Sequence, residues 1–457
     1  MTRTHSTVPV LFASPEFASW TDPSSSLLAE WVNPLLKSIH HRELPSVVYT
    51  VVAVVDKIST LQSNRPRVPL GAAGLSLLLV DSSAIAVSAS QPAHVRSSSP
   101  AEPAFFFSTP RTSDSAENED DNQYAREVGL RLTNTIFVNG KDRTLLGLRW
   151  IYDAASKGYV LDNWKDLSIC DIRYPASEAR SSITVPLRPV TQRRSVVSSM
   201  GNILRQLSSK SSPIPASSEL EKELPRYVSE LGIPHQRVAV WALVEPLNAL
   251  LSEKYGRNDL NQSILNGNRI HRVVSGGGGW GKKQGLLSLD PEVSFWDQFT
   301  SSQQNPVSLD QTFVTQSPHS VEPDDNLDIS ELLGQGLEED IASLSHVAPV
   351  GDNIQFFVAT EPEVVENNTE LPEDRNNSPL SCSFAVGASV GTELTIPSSS
   401  SQDTSSDDMV VIPNHFGGLS ETAISYSTKS SGLSPNGRVC RTKLSVPGSR
   451  VEIFCYE

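Results

Sequence analysis

The sequence predicts an α/β (or α+β) protein: a mixed, mostly buried sheet with covering helices, interrupted by long disordered insertions and an acidic C-terminal region. Three observations predict it. The apolar runs at 51–56 (V-V-A-V-V-D), 75–81 (L-S-L-L-L-V-D) and 237–244 (R-V-A-V-W-A-L-V) read as strands buried on both faces. Leu27, Leu28, Trp31, Val32, Leu35, Leu36 and Ile39 form the stripe of a core-facing helix ahead of these strands. Between such segments lie tracts rich in Ser, Pro and acid that bury too little apolar area to offset ordering entropy.

Taken in order, residues 8–13 read as a strand, 27–39 as a helix despite Pro34, and 46–55 and 74–80 as further strands, which together make an N-terminal α/β layer over 1–87. An acidic, Ser/Pro-rich linker spans 88–123. Its aromatic triplet Phe105, Phe106 and Phe107 would be a liability in water, so the triplet is expected to dock on the protein's own core. Residues 124–300 read as a basic, Trp-rich globular core. There Asn139-Gly140 predicts a hairpin, because a two-residue type I′ turn needs left-handed backbone at both positions. Residues 183–190 read as a strand. Val196, Val197, Met200, Ile203, Leu204 and Leu207 read as the stripe of a basic amphipathic helix that Arg193 and Arg194 precede. A capping box at 218–221 starts a helix toward Gly232, and a short helix is expected over 247–255. The last segment, 301–457, is expected to be acidic and largely disordered, with strand-like islands near 354–358, 394–396 and 443–456 and a turn at Pro447-Gly448.

The net charge of −15 conceals a partition: −4 over 1–123, +6 over 124–300 and −17 over 301–457. A basic centre with an acidic tail suits a phosphate-bearing partner for the centre and a protein partner for the tail. The four cysteines, Cys170, Cys382, Cys440 and Cys455, form no C-x-x-C pair and read as free buried thiols of a reduced, intracellular compartment, although Cys440 and Cys455 could bridge two C-terminal strands. The early Arg3 and hydroxyl residues are compatible with a mitochondrial presequence. Residues 70–89 are the longest apolar stretch, and Asp81 near its centre argues against a membrane span.

The most unusual segment is Gly276-Gly277-Gly278-Gly279-Trp280-Gly281-Lys282-Lys283. Consecutive glycines forgo packing and cost backbone entropy, which favours a close backbone approach by a ligand. Gly276, Gly281 and Lys282 match the spacing of a phosphate-binding G-x-x-x-x-G-K-[ST] loop, but Lys283 stands where a magnesium-binding hydroxyl belongs. Nothing in the spacing of the histidines, cysteines and acids calls for a metal or another cofactor, and no hydrolase elbow or kinase signature set occurs. The expected function is therefore a non-catalytic phosphate-contacting accessory protein, binding RNA or a ribonucleoprotein surface. Arg193, Arg194, Arg205, Lys282 and Lys283 would supply charge, the amides of 276–281 directed donors, and Trp280 a stacking surface. Two alternatives stand beside it: a nucleotide- or phosphosubstrate-dependent enzyme using the same loop with Asp56 or Asp81 as metal ligand or base, and a protein-binding assembly scaffold. Asp407-Asp408-Met409-Val410-Val411-Ile412 also has the acid-then-aliphatic form of a strand-adding ligand for a small ubiquitin-like modifier.

Overall fold

The computed structural model describes residues 7–41, 44–60, 71–90, 103–110, 124–132, 134–141, 143–176, 178–210, 212–231, 238–247, 260–276, 285–295, 306–314, 347–359, 380–389, 409–429 and 439–456. These residues are mostly β, in three sheets of eleven, six and eight strands, which overturns the expected α/β architecture with covering helices. Among the described ladders only three are parallel: Thr7–Ala13 with Val47–Val54, Ala104–Pro110 with Gly158–Arg173, and Leu380–Ala388 with His415–Ser420. The runs at 51–55 and 240–244 are doubly buried, but for a different reason, whereas 75–81 is an edge strand that exposes Leu75, Leu77 and Leu79 on one face. A continuous aliphatic run suits any strand covered on both faces, and here the cover is a second sheet or a barrel interior more often than a crossover helix.

The eleven-stranded and six-stranded sheets stack into a sandwich. Val8, Val10 and Phe12 of the first strand and Phe105 and Phe107 of Ala104–Pro110 meet Phe384, Phe416, Val451 and Ile453 of the smaller sheet in one core. The ring of Phe12 lies 4.7 Å from that of Phe105 and 4.5 Å from that of Phe416. Phe106 points the other way, onto Ile169 and Phe295, so the triplet is buried on both faces of a central strand. Each ring removed from water contributes about 1.5–3 kcal/mol. Helix Ser26–Ile39 forms as expected, with the Ser25 side chain accepting from Leu27 N at its start. It lays Leu28, Val32 and Leu36 over the far face of the large sheet, against Val48, Val52, Leu148 and Trp150.

The third sheet closes on itself. Strands Arg194–Met200, Ile203–Leu207, Leu287–Leu289, Arg269–Gly276, Val240–Glu245 and Asn353–Ala359 pair antiparallel in a ring and make a six-stranded barrel. Val240, Ala242 and Val244 alternate with Trp241 and Leu243; the first set joins the barrel core and the second packs outward into the sandwich core. That is why this strand shows no apolar–polar alternation in sequence. Helix Ser218–Leu231 packs Leu220 and Tyr227 onto the barrel core. Ser217, one residue before the expected cap, precedes its first turn, and its Oγ donates to Glu221 Oε1 at 2.6 Å.

Two local expectations are corrected. Residues 194–207 form a hairpin turning at Gly201, whose φ is +62°, in place of a basic helix. Of the supposed stripe, Val197 and Met200 are exposed, and only Val196, Leu204 and Leu207 reach full burial. A β-branched pair followed by Gly-Asn favours strand and turn, which outweighs the apparent helical period. Asn139-Gly140 makes no two-residue hairpin. Ile136–Asn139 is a single helical turn, and Gly140, at φ +75°, terminates it, with its N–H donating to Ile136 O. The same left-handed glycine serves a helix end as readily as a β-turn.

The C-terminal part of the chain supplies central strands. Arg450–Tyr456 sits between Glu178–Thr184 and Leu380–Ala388, and Ile424–Lys429 between Tyr124–Arg131 and Val439–Leu444. Leu380–Ala388 carries little strand signal in sequence, because L-S-C-S-F-A-V-G-A has little β-branched content and sits among acidic tracts. Residues 248–255 of the expected short helix, and the reading over 394–396, fall outside the described residues. No described helix is long and apolar enough to cross a membrane.

Candidate functional site

The glycine-rich segment belongs to the barrel. Gly276 ends strand Arg269–Gly276 and pairs with Leu287 of the next strand, which pairs in turn with Leu204. Gly277 to Lys283, including Trp280 and Lys282, lie outside the described residues. The strands on either side, Arg269–Gly276 and Leu287–Leu289, are antiparallel partners, so the segment joins two strands of one sheet. A nucleotide-binding P-loop runs from a strand into a helix, whose N-terminal amides hold the phosphate. The described chain after the loop continues as strand, so that half of the motif is not built.

A cavity of about 380 Å³ opens beside Gly276, between helix Ser218–Leu231 and the barrel. It is lined by Leu220, Leu224, Pro225, Val240, Val273 and Leu287, with Glu221 and Ser275 at its polar positions. Gly276 has no room for a side chain, since a Cβ there would meet Leu286 O at 2.6 Å. The cavity-lining helix is legible from its capping box, whereas its approach to the glycine loop depends on barrel closure.

The predicted cations divide. The register Leu204–Leu287–Gly276 places Arg205, exposed on the strand two away, roughly 10 Å from Gly276 at about 4.8 Å per strand spacing. Arg193 is instead paired to Glu245, with Nε to Oε2 at 2.8 Å, and Arg194 to Glu219. Both pairs are largely shielded from solvent, and their charge is spent inside the protein.

Other ionisable groups serve the packing. His271 is buried; its Nδ1 donates to Asp290 O at 2.8 Å, and burial holds its pKa down to about 4. Beside it, Lys443 Nζ bonds Asp290 Oδ2 at 2.6 Å and also reaches Glu292, which Arg131 pairs at 2.7 Å. This network ties the barrel to the sandwich. His415 bridges two sandwich strands: Ser383 Oγ donates to its Nδ1 at 2.9 Å and its Nε2 donates to Ser59 O at 3.1 Å. Burial lowers its pKa to about 4. The pair has the donor order of a nucleophile and its base, yet Ser383 is only 1% exposed and no substrate could reach it.

Of the two strand-ending aspartates, Asp81 acts as a turn residue, accepting from Ser83 N and Oγ, while Asp56 ties a distant segment, accepting from Glu421 N at 2.7 Å. Asp171, 1% exposed between Ser108 and Arg173, has its pKa raised by burial. Among the described residues no group of three or more His, Cys, Asp or Glu side chains could hold a metal. Compared with known proteins, the chain matches no family model, no curated protein and no solved structure.

Proposed function

We propose that the protein is a non-catalytic accessory protein that contacts phosphate groups, of RNA or a ribonucleoprotein surface, at the rim of its barrel. The observation that carries this reading is the register that sets exposed Arg205 roughly 10 Å from the base of the glycine-rich segment, on the outer face of the barrel wall. Lys282 and Lys283 would add charge there, and a base or other apolar moiety would find the cavity wall. Arg193 and Arg194 drop out of the interface because their carboxylate partners already neutralise them.

Fluorescence anisotropy with single-stranded RNA homopolymers tests this. Arg205→Glu and Lys282→Ala with Lys283→Ala should each weaken binding and lower the salt slope by about 0.7 for every phosphate the variant no longer neutralises. Arg193→Ala with Arg194→Ala should leave the slope alone. Failure to bind RNA at low salt, or binding indifferent to Arg205 and the lysines, overturns the proposal.

One observation favours the scaffold reading. Among the described residues, strand Leu75–Asp81 is an edge of the largest sheet and exposes Leu75, Leu77 and Leu79 by 39%, 41% and 46%. It carries no Lys, Pro or bulge to discourage pairing. Antiparallel pairing of two copies about Leu78 would set Leu77 against Leu79 of the second copy. Sedimentation should then show a dimer that Leu77→Lys dissociates, and a monomeric wild type would sink this reading.

A further inference from the structure

Among the described side chains only two aromatic rings are exposed, Phe137 and Trp164, by 101% and 48%, and the fold puts them together. Phe137 sits in the helical turn Ile136–Asn139 between Ile136 and Val138, which are 48% and 60% exposed. Thr135 and Lys141 pair across the base of this turn, with Thr135 N–H donating to Lys141 O at 2.9 Å. Inside it Val138 N–H donates to Thr135 O at 2.9 Å and Gly140 N–H to Ile136 O at 3.1 Å. The apolar tip therefore projects from an internally hydrogen-bonded turn. Trp164 stands at its foot: Thr135, Lys141 and Trp164 line one cavity of about 60 Å³ with Asp22, Arg143 and Asp166.

We propose that the turn Ile136–Asn139 and Trp164 insert into the surface of a zwitterionic phospholipid bilayer, with headgroup phosphate at Lys141 and Arg143 and headgroup ammonium at Asp166 and the Trp164 indole. Geometry selects the surroundings of the tip. Successive side chains of a helical turn point about 100° apart, so those of 136–138 fan over about 200°. A protein surface meets one side of such a fan, whereas the fluid apolar region of a bilayer surrounds all of it. The order of groups is that of an interfacial anchor, with apolar side chains deepest, an indole at headgroup level and Lys and Arg at the phosphates. Charge narrows the lipid. Lys141 and Arg143 share their cavity with Asp22 and Asp166, and Lys141 Nζ lies 3.6 Å from Asp22 Oδ1, so the foot of the turn offers both signs. The chain as a whole carries −15. That balance opposes a strongly anionic surface and matches a headgroup that joins a phosphate to an ammonium. This surface is separate from the barrel rim, and the proposal stands whether or not RNA binds there.

Flotation of the full chain with phosphatidylcholine vesicles tests this. Wild type should float with the vesicles, and less of it with vesicles of phosphatidylserine. Phe137→Ser should weaken partitioning by at least about tenfold and leave the melting temperature unchanged, because the ring lies outside the core. Lys141→Gln with Arg143→Gln should weaken partitioning several-fold. Brominated phosphatidylcholine should quench part of the tryptophan fluorescence, and Trp164→Phe should remove that quenching. No flotation on phosphatidylcholine, partitioning indifferent to Phe137, tighter binding to phosphatidylserine, or quenching that survives Trp164→Phe overturns the proposal. Self-association that Phe137→Ser abolishes, in place of flotation, would name a second copy as the occupant and overturn it equally.

Discussion

Cys382 lies directly opposite Cys455 in the antiparallel pairing of Leu380–Ala388 with Arg450–Tyr456, inside the sandwich core. By sequence alone, Cys440 and Cys455 are the pair that could be bridged. Cys440 instead stands on Val439–Leu444, in the other sheet of the sandwich. Both facing sulfurs are free thiols, and burial pushes each pKa up to about 12. A thiolate fraction of about 10⁻⁴ at pH 8 leaves little nucleophile. With an aromatic disulfide reagent, native protein should therefore show no rapid reaction at Cys382 or Cys455, and denatured protein should react at all four cysteines. Rapid native labelling of Cys455, located by peptide mapping, would contradict this packing.

Lys443 joins the barrel to the sandwich through Asp290 and Glu292. Lys443→Met should strand the Asp290 carboxylate in a poorly solvated junction, while Glu292 keeps Arg131, and cost about 2–4 kcal/mol. Urea unfolding measures the loss. Asp290→Asn in the Lys443→Met background should recover part of it, because the uncompensated charge is then gone.

His271 makes stability depend on pH with a defined sign. Folded, it refuses a proton until about pH 4; unfolded, it titrates near 6.5. The unfolded chain therefore takes up the proton first. The stabilisation is present above about 6.5 and is lost as pH falls toward 4, by up to about 3 kcal/mol. His415 acts in the same direction. Melting temperatures should fall between pH 7 and pH 5, and His271→Gln should flatten that slope.

Trp150, fully buried, donates from Nε1 to Thr50 Oγ1 at 3.0 Å. Thr50→Val keeps the volume and removes the acceptor, so it should cost about 1–3 kcal/mol. Thr50→Ser should cost less. Equal losses for the two variants would mean that packing, and not this hydrogen bond, sets the value.

Gly417 lies where the parallel strands His415–Ser420 and Leu380–Ala388 approach so closely that a Cβ would overlap Ala385 O. Gly417→Ala should displace a strand and cost about 3 kcal/mol or more. An unchanged urea midpoint would show that the two strands are set further apart.

The sequence by itself determined where many of the elements lie. Helix Ser26–Ile39, helix Ser218–Leu231, the buried strand Val240–Glu245 and the turn at Pro447-Gly448 follow from apolar period, capping residues and turn chemistry, all of which act within a few residues. It also marked Gly276 and Arg205 as residues of interest. Partner choice was decided only by the tertiary structure. An aliphatic run such as V-V-A-V-V meets the same local rules in a parallel sheet, a sandwich or a barrel, and the difference is long-range pairing that no short window contains. For the same reason sequence could not show that Arg193 and Arg194 would meet Glu245 and Glu219 while Arg205 stayed exposed, or that Cys382 would face Cys455 across more than seventy residues of chain. Local chemistry specified the pieces, and closing the barrel and stacking the two sheets determined which side chains met.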